Sequence, residues 1–353
     1  MVGFSLPRNA QIWLPGYLKT VLQKRAVPRH IWLLIGDHYE PLRARSNSES
    51  KATPDVGVER VRVWRQRWPE IAARHADTDG RPPQYTFFYP AEEYRPELLE
   101  PLAEMTHQGI GDVEVHLHHD GEGEADFVSS ISGFTQTLAE RHSLLRRVNG
   151  QLVFGFIHGN WALDNSLPGG RFCGLNNEIT LLKHLGCYAD FTLPSAPSPA
   201  QTSTVNSIYW ATDDPERPCS HDRGAPVRAG GKGRGDLLMV QGPLGLRMGN
   251  GRWTPRVEAG ELAGQDPPTA ERVRLWLQVA PQIGEHVFIK LFTHGALEKN
   301  CAMLLDGGLD RLFQLMAAEA GRRGCRLHYA TAWQVYRAIE ELNAGREPVT
   351  VPD

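Results

Sequence analysis

The chain has 353 residues, 41% apolar and 22% charged, which is enough for a substantial core in a single domain. Lys and Arg number 38 against 41 Asp and Glu, a formal net charge of −3. That near balance argues against nucleic acid as the main partner, because phosphate binding calls for a basic surplus. The 35 glycines and 25 prolines suit a loop-rich enzyme better than a helical bundle.

Five cysteines, Cys173, Cys187, Cys219, Cys301 and Cys325, include no CxxC pair, so reduced thiols are expected rather than a disulfide framework. Between Met1 and Arg25 the apolar run is broken by Pro15, Gly16 and Lys19, which leaves no signal-peptide core. No later stretch approaches the roughly 20 apolar residues of a membrane span. The expectation is a cytoplasmic protein with no integral membrane segment.

In chain order, Ile31 to Ile35 is a short apolar run that reads as a buried strand. Val58, Val61, Trp64, Trp68 and Ile71 recur at three- and four-residue steps, the pattern of a helix. Strands follow at Tyr85 to Tyr89, Asp112 to Leu117, Leu152 to Ile157 and Tyr188 to Leu193. Between them the pattern predicts helices at Glu97 to Thr106, Phe127 to Arg147 and Asn176 to Leu185. From Ser195 to Pro268 the texture turns to Pro, Gly, Ser, Thr and charge, with only Asp236 to Gln241 strand-like. This reads as a long insertion over one face of the domain. Regular alternation then returns: helix Thr269 to Val279, strand Val287 to Phe292, helix Gly308 to Arg322, strand Arg326 to Ala330 and helix Ala332 to Leu342. Thr331 and Gln334 form a capping box for the last helix. Alternating strands and helices predict a parallel α/β architecture in one domain over residues 1–353, with a barrel or an open sheet both compatible.

Several of these strands end in polar clusters, where parallel α/β proteins place their chemistry. The first ends in Gly36-Asp37-His38-Tyr39-Glu40, the third in His116-Leu117-His118-His119-Asp120, the fourth in His158-Gly159-Asn160-Trp161, and a late one in Thr293-His294-Gly295. His116 and His118, two apart on an extended chain, point the same way and make a workable pair of zinc ligands. His119 or Asp120 is an alternative second ligand. Asp37 or His38 would complete a three-ligand site with an open position for water. His158, Asn160 and Trp161 are candidate substrate contacts, and Trp161, Tyr209 and Trp210 offer faces for stacking on sugar. The glycine run Gly230 to Gly235 lacks the Lys-Ser/Thr ending of a phosphate loop and reads as a flexible loop.

The order of these strand-end motifs resembles that of polysaccharide deacetylases, carbohydrate esterases with the NodB-type homology domain. The resemblance implies a deformed (β/α) barrel of about seven parallel strands that removes N-acetyl groups from an amino-sugar poly- or oligosaccharide or its biosynthetic precursor. It also implies a divalent metal ion, with zinc as the expected species, and polysaccharide-assembly proteins as possible partners. It places Asp37 as catalytic base, His38, His116 and His118 as metal ligands, and His294 as the acid that protonates the departing amine. Tyr329-Ala330-Thr331-Ala332 is similar to that family's last strand passing into its final helix. The chain departs from the pattern at two places. His38 stands where the family has a second aspartate, which leaves Glu40 as another candidate ligand, and Asp120 stands where the second histidine is usual. Two other readings remain open: a glycoside hydrolase pairing Asp37 or Glu40 with Glu178, and a non-catalytic carbohydrate-binding or scaffold protein.

Overall fold

The computed structural model describes residues 6–44, 51–249 and 252–348. The main strands are β1 (His30–His38), β2 (Thr86–Pro90), β3 (Asp112–Leu117), β4 (Gln151–His158), β5 (Cys187–Asp190), β6 (Ile208–Ala211), β7 (Leu237–Val240), β8 (His286–Thr293) and β9 (Arg326–Tyr329). The helices are α1 (Ala10–Leu22), α2 (Pro54–Ala72), α3 (Pro96–His107), α4 (Glu124–His142), α5 (Glu178–Leu185), α6 (Ala270–Val279), α7 (Glu298–Met303), α8 (Leu309–Arg323) and α9 (Ala332–Asn343).

The fold is mixed α/β around a large, mostly parallel sheet. Its parallel run reads β8-β1-β2-β3-β4-β5-β7, and β6 adds on antiparallel to β7. β9 and β2 share one edge of β1: β9 pairs with His30 to Leu33 and β2 with Gly36 to His38. Lys290 on β8 reaches across to the far part of the run: its buried ammonium donates to the carbonyls of Phe191 and, at 2.6 Å, Leu193 just beyond β5.

Side chains alternate across the strands. Ile31, Leu33 and Ile35 pack with Val61, Trp64 and Trp68 of α2. Trp32 and Leu34 face the other way and pack with Phe88, Phe288 and the α9 residues Trp333 and Ile339. The capping box that starts α9 is present, with Gln334 N donating to Thr331 Oγ1 at 3.3 Å and Thr331 N to Gln334 Oε1 at 3.0 Å.

Two regions differ from the sequence reading. The helix α1 was not anticipated. It tolerates Pro15 because its buried Trp13 docks with Ala196, Val205 and Leu244 of the insertion. The Ser195 to Pro268 segment is also more ordered than a loop. Besides β7 it carries β6, the short strand Ala225–Pro226 and a ribbon of Gly245–Gly249 against Arg252–Glu258. The glycine run packs on the end of α9, where Gly230 N and Lys232 N donate to the carbonyls of Leu342 and Asn343.

A buried ion network holds the insertion to α6. Glu258, 1% exposed, accepts from Arg272 Nε and Nη2 at 2.8 Å each and from Trp276 Nε1 at 3.0 Å. Arg247 Nε lies 2.8 Å from Glu258 Oε2, the oxygen that Arg272 Nε also reaches. Removing one partner of such a pair leaves a charge uncompensated away from water. Arg272→Ala is therefore expected to destabilise the protein by about 3–5 kcal/mol in denaturant titrations. A loss below about 1 kcal/mol would mean that Arg247 alone neutralises Glu258.

Candidate functional site

The period of two on β1 sends Asp37 and His38 to opposite faces. His38 turns to the face shared with His116 and His118 of β3 and the loop beyond it. Glu40, just past the strand, joins them. These groups border a cavity of about 380 Å³ whose lining includes His38, Glu40, Arg43, Glu92, His118, Asn160, Trp161 and His294. His116 lies fully buried against the cluster. One ligand atom from each of His38, Glu40 and His116 lies within 4.8 Å of the others.

The local bonding prepares this trio for a cation. His116 Nδ1 sits 2.8 Å from the Ile157 carbonyl, so it carries the proton and leaves the Nε2 lone pair free. That Nε2 is buried with no hydrogen-bond partner and lies 3.4 Å from Glu40 Oε1. Arg43 holds the other Glu40 oxygen at 2.8 Å. Burial by itself would raise Glu40, but His116, His294 and Arg43 outweigh it and hold the carboxyl well below its usual range. Burial keeps His38 well below the imidazole range, so protons compete weakly for its nitrogen at neutral pH. Two imidazoles and a carboxylate are a donor set suited to zinc or another borderline divalent ion.

The remaining histidines differ in kind. His118 Nδ1 is 2.6 Å from Glu92 Oε1, and its Nε2 is 3.5 Å from Glu40 Oε1. Burial would lower it, but Glu92 and Glu40 reverse the direction and favour the charged ring. His294, its ring centroid 4.9 Å from that of His38, is pushed down to about 4 by burial and is neutral at physiological pH. A second cleft of about 290 Å³ adjoins the first and shares Trp161 and His294 with it. Its other walls include Ser195, Ser198, Arg256, Glu261 and Phe292. The insertion therefore builds half of a continuous groove.

Two expected site residues lie elsewhere. Asp37, expected as the base, is fully buried on the α2 side of β1. Its Oδ2 accepts from Tyr85 Oη at 2.7 Å and its Oδ1 from Gly295 N at 2.8 Å. The approach is so close that a Cβ on Gly295 would stand 2.2 Å from Asp37 Oδ2. Asp37 thus holds the turn that presents His294, and Glu40 is the carboxylate that reaches the cavity. His158, expected at the substrate, points to the opposite face of β4 with Phe154 and Phe156 and meets His119, Cys173 and Glu178. Glu178 is fully buried there, outside the lining of the cavity. Asn160 and Trp161 do line the cavity, whereas Tyr209 and Trp210 are buried in β6. Glu92, Arg43 and Arg256 were missed. Each is a common surface-type residue in a loop or ribbon, and its spacing carries no signal.

No protein-family model matches the chain, and no curated protein is significantly similar to it in sequence.

Asp37 supplies a pH test. Burial, only partly offset by the Gly295 and Tyr85 bonds, pushes its carboxyl up to about 7, against about 3.9 in an unfolded chain. The folded state therefore retains this proton between those values, and ionising Asp37 costs stability as pH rises through the window. Asp37→Asn keeps hydrogen-bonding partners for Tyr85 and Gly295 without the charge. The stability difference between variant and wild type should move in the variant's favour by up to roughly 4 kcal/mol from about pH 4 to 7. A pH-independent difference would mean that Asp37 stays ionised throughout.

Proposed function

We propose that this chain is a metal-dependent hydrolase that removes N-acetyl groups from an amino-sugar oligo- or polysaccharide, built on a deformed (β/α) barrel. The observation that carries the reading is the orphaned, buried Nε2 of His116, aimed with His38 and Glu40 at one point beside an open cavity. The resemblance in the order of strand-end motifs supplies the substrate class. The adjoining clefts, with Trp161 where they meet, suit a chain of sugar rings.

In this reading His38, Glu40 and His116 hold a zinc ion. When bound, zinc polarises an acyl carbonyl and lowers the pKa of a coordinated water. His294, neutral and lining both clefts, accepts the proton of the attacking water and passes it to the nitrogen as the C–N bond breaks. Water and amide are thereby converted to acetate and a free amine. His118, with Glu92 behind its Nδ1, directs its Nε2–H at the acyl oxygen as negative charge develops. Trp161 stacks on a sugar face, and Asn160 offers its amide to a hydroxyl.

Acetate release from N-acetylglucosamine oligomers, read beside elemental analysis, tests the assignment. His116→Ala is expected to lose both metal and turnover. His294→Ala is expected to keep its metal and lose roughly 10²–10⁴-fold in rate, the usual weight of general acid–base catalysis. Full turnover in His116→Ala, or in metal-free wild type, would sink the reading.

A further inference from the structure

We propose that His119, His158, Cys173 and Glu178 form a second, closed zinc site that staples the active-site loops together and takes no part in the reaction. The inference stands apart from the function proposed above. It rests on a different set of residues, on the opposite face of β4.

Four ligand atoms of three types (two imidazole nitrogens, a sulfur and a carboxylate oxygen) converge from three segments of the chain. His119 Nε2 lies 3.0 Å from Glu178 Oε1 and 2.9 Å from His158 Nε2, and His158 Nε2 is 3.3 Å from the same carboxylate oxygen. Cys173 Sγ is 3.4 Å from Glu178 Oε2. Zinc bonds of about 2.0–2.3 Å in a tetrahedron set ligand atoms roughly 3.3–3.6 Å apart, so the two imidazole nitrogens and Glu178 Oε1 sit at or a few tenths of an ångström inside that cage, and one ligand atom of each of the four residues lies within 4.8 Å of the others. All four residues are buried, Cys173, His158 and Glu178 fully so. The site therefore has no open position for a substrate, as expected of a structural zinc.

The surroundings are arranged as for ligands. His158 Nδ1 lies 2.5 Å from the Gly159 carbonyl, which places its proton there and leaves Nε2 as a lone pair. Glu178 Oε2 accepts from Asp164 N at 2.7 Å. Burial and the neighbouring Glu178 push the metal-free Cys173 thiol up, while two backbone amides, Asn165 N at 3.4 Å and Leu175 N at 3.5 Å, point at its Sγ and would support the thiolate that a bound cation calls for. Among the described residues no Lys or Arg pairs with the buried Glu178 carboxylate. A divalent cation with one thiolate and one carboxylate is neutral overall, which removes the cost of burying that charge.

The staple has an evident use. It joins the loop after β3, the end of β4 and the start of α5 across the irregular segment 159–177. There Asn160, Trp161, Asp164, Asn165 and Phe172 all adopt positive φ despite being non-glycine. That segment carries Asn160 and Trp161 into the cavity, and His118 immediately precedes His119.

Full-length protein expressed in cobalt-supplemented medium tests the proposal. Wild type should show a thiolate-to-cobalt charge-transfer band in the near ultraviolet and bind one metal equivalent more than Cys173→Ser, which should lack the band. His116→Ala should retain it, because the catalytic trio contains no sulfur. That variant also separates the two readings: loss of turnover with the band intact leaves both standing, and a band in a protein without deacetylase activity leaves this one alone. Cobalt-loaded wild type without the band, or a band unchanged in Cys173→Ser, would overturn the proposal. The wild-type spectrum gives this answer even if the variant fails to fold.

Discussion

The two-residue period of a β-strand governs this site more than any single contact. On β1 it separates Asp37 from His38. At the end of β3 it groups His116 with His118, the first residue past the strand, while on β4 it turns His158 away from them. Each histidine lies near the carboxyl end of a parallel strand, so all share one end of the sheet. The parity of the position then decides which of two clusters a ring joins: the cavity trio or the buried group behind it.

Because β1 is so deeply packed, its last residues serve both faces. The carboxylate of Asp37, tied to Tyr85 and to the Gly295 amide, carries the position of β1 across to the end of β8. Trp64 repeats the link by donating to the Gly295 carbonyl at 2.9 Å. The histidine that lines both clefts is thus set by a backbone turn gripped from the helix side of the sheet. Glycine is required there by the close approach of that carboxylate.

Much of this was legible in the sequence, and the rest was hidden for physical reasons. The parallel strands stand out because both of their faces are buried, which makes them apolar runs with sharp ends. Ile31 to Ile35 and Val287 to Phe292 lie inside β1 and β8. The ribbon Gly245–Gly249 and Arg252–Glu258 did not stand out, because Gly, Pro and Arg mask a pairing that depends on distant partners. The cavity histidines His38, His116, His118 and His294 were found from strand-end clustering. The sequence offered Asp37 as the base and Glu40 only as an alternative ligand, and a turn after the strand brings Glu40 rather than Asp37 to the cavity. Glu178 and Cys173 gave no sign of meeting His119 and His158, since their convergence depends on a loop with no regular period.

The packing beneath the trio closes the floor of the cavity. Trp32 and Leu34, below His38 on the same face of β1, are sealed by Phe88, Phe288 and Trp333. The floor under His38 is therefore solid packing, and the cavity extends sideways, past Trp161 and His294, into the second cleft. Part of that second cleft is framed by the ribbon and by Ser195 and Ser198, on the insertion rather than the sheet. The insertion thus shapes one wall of the groove independently of the sheet: its sequence can change without altering the groups that β1 and β3 set at the bottom of the cavity.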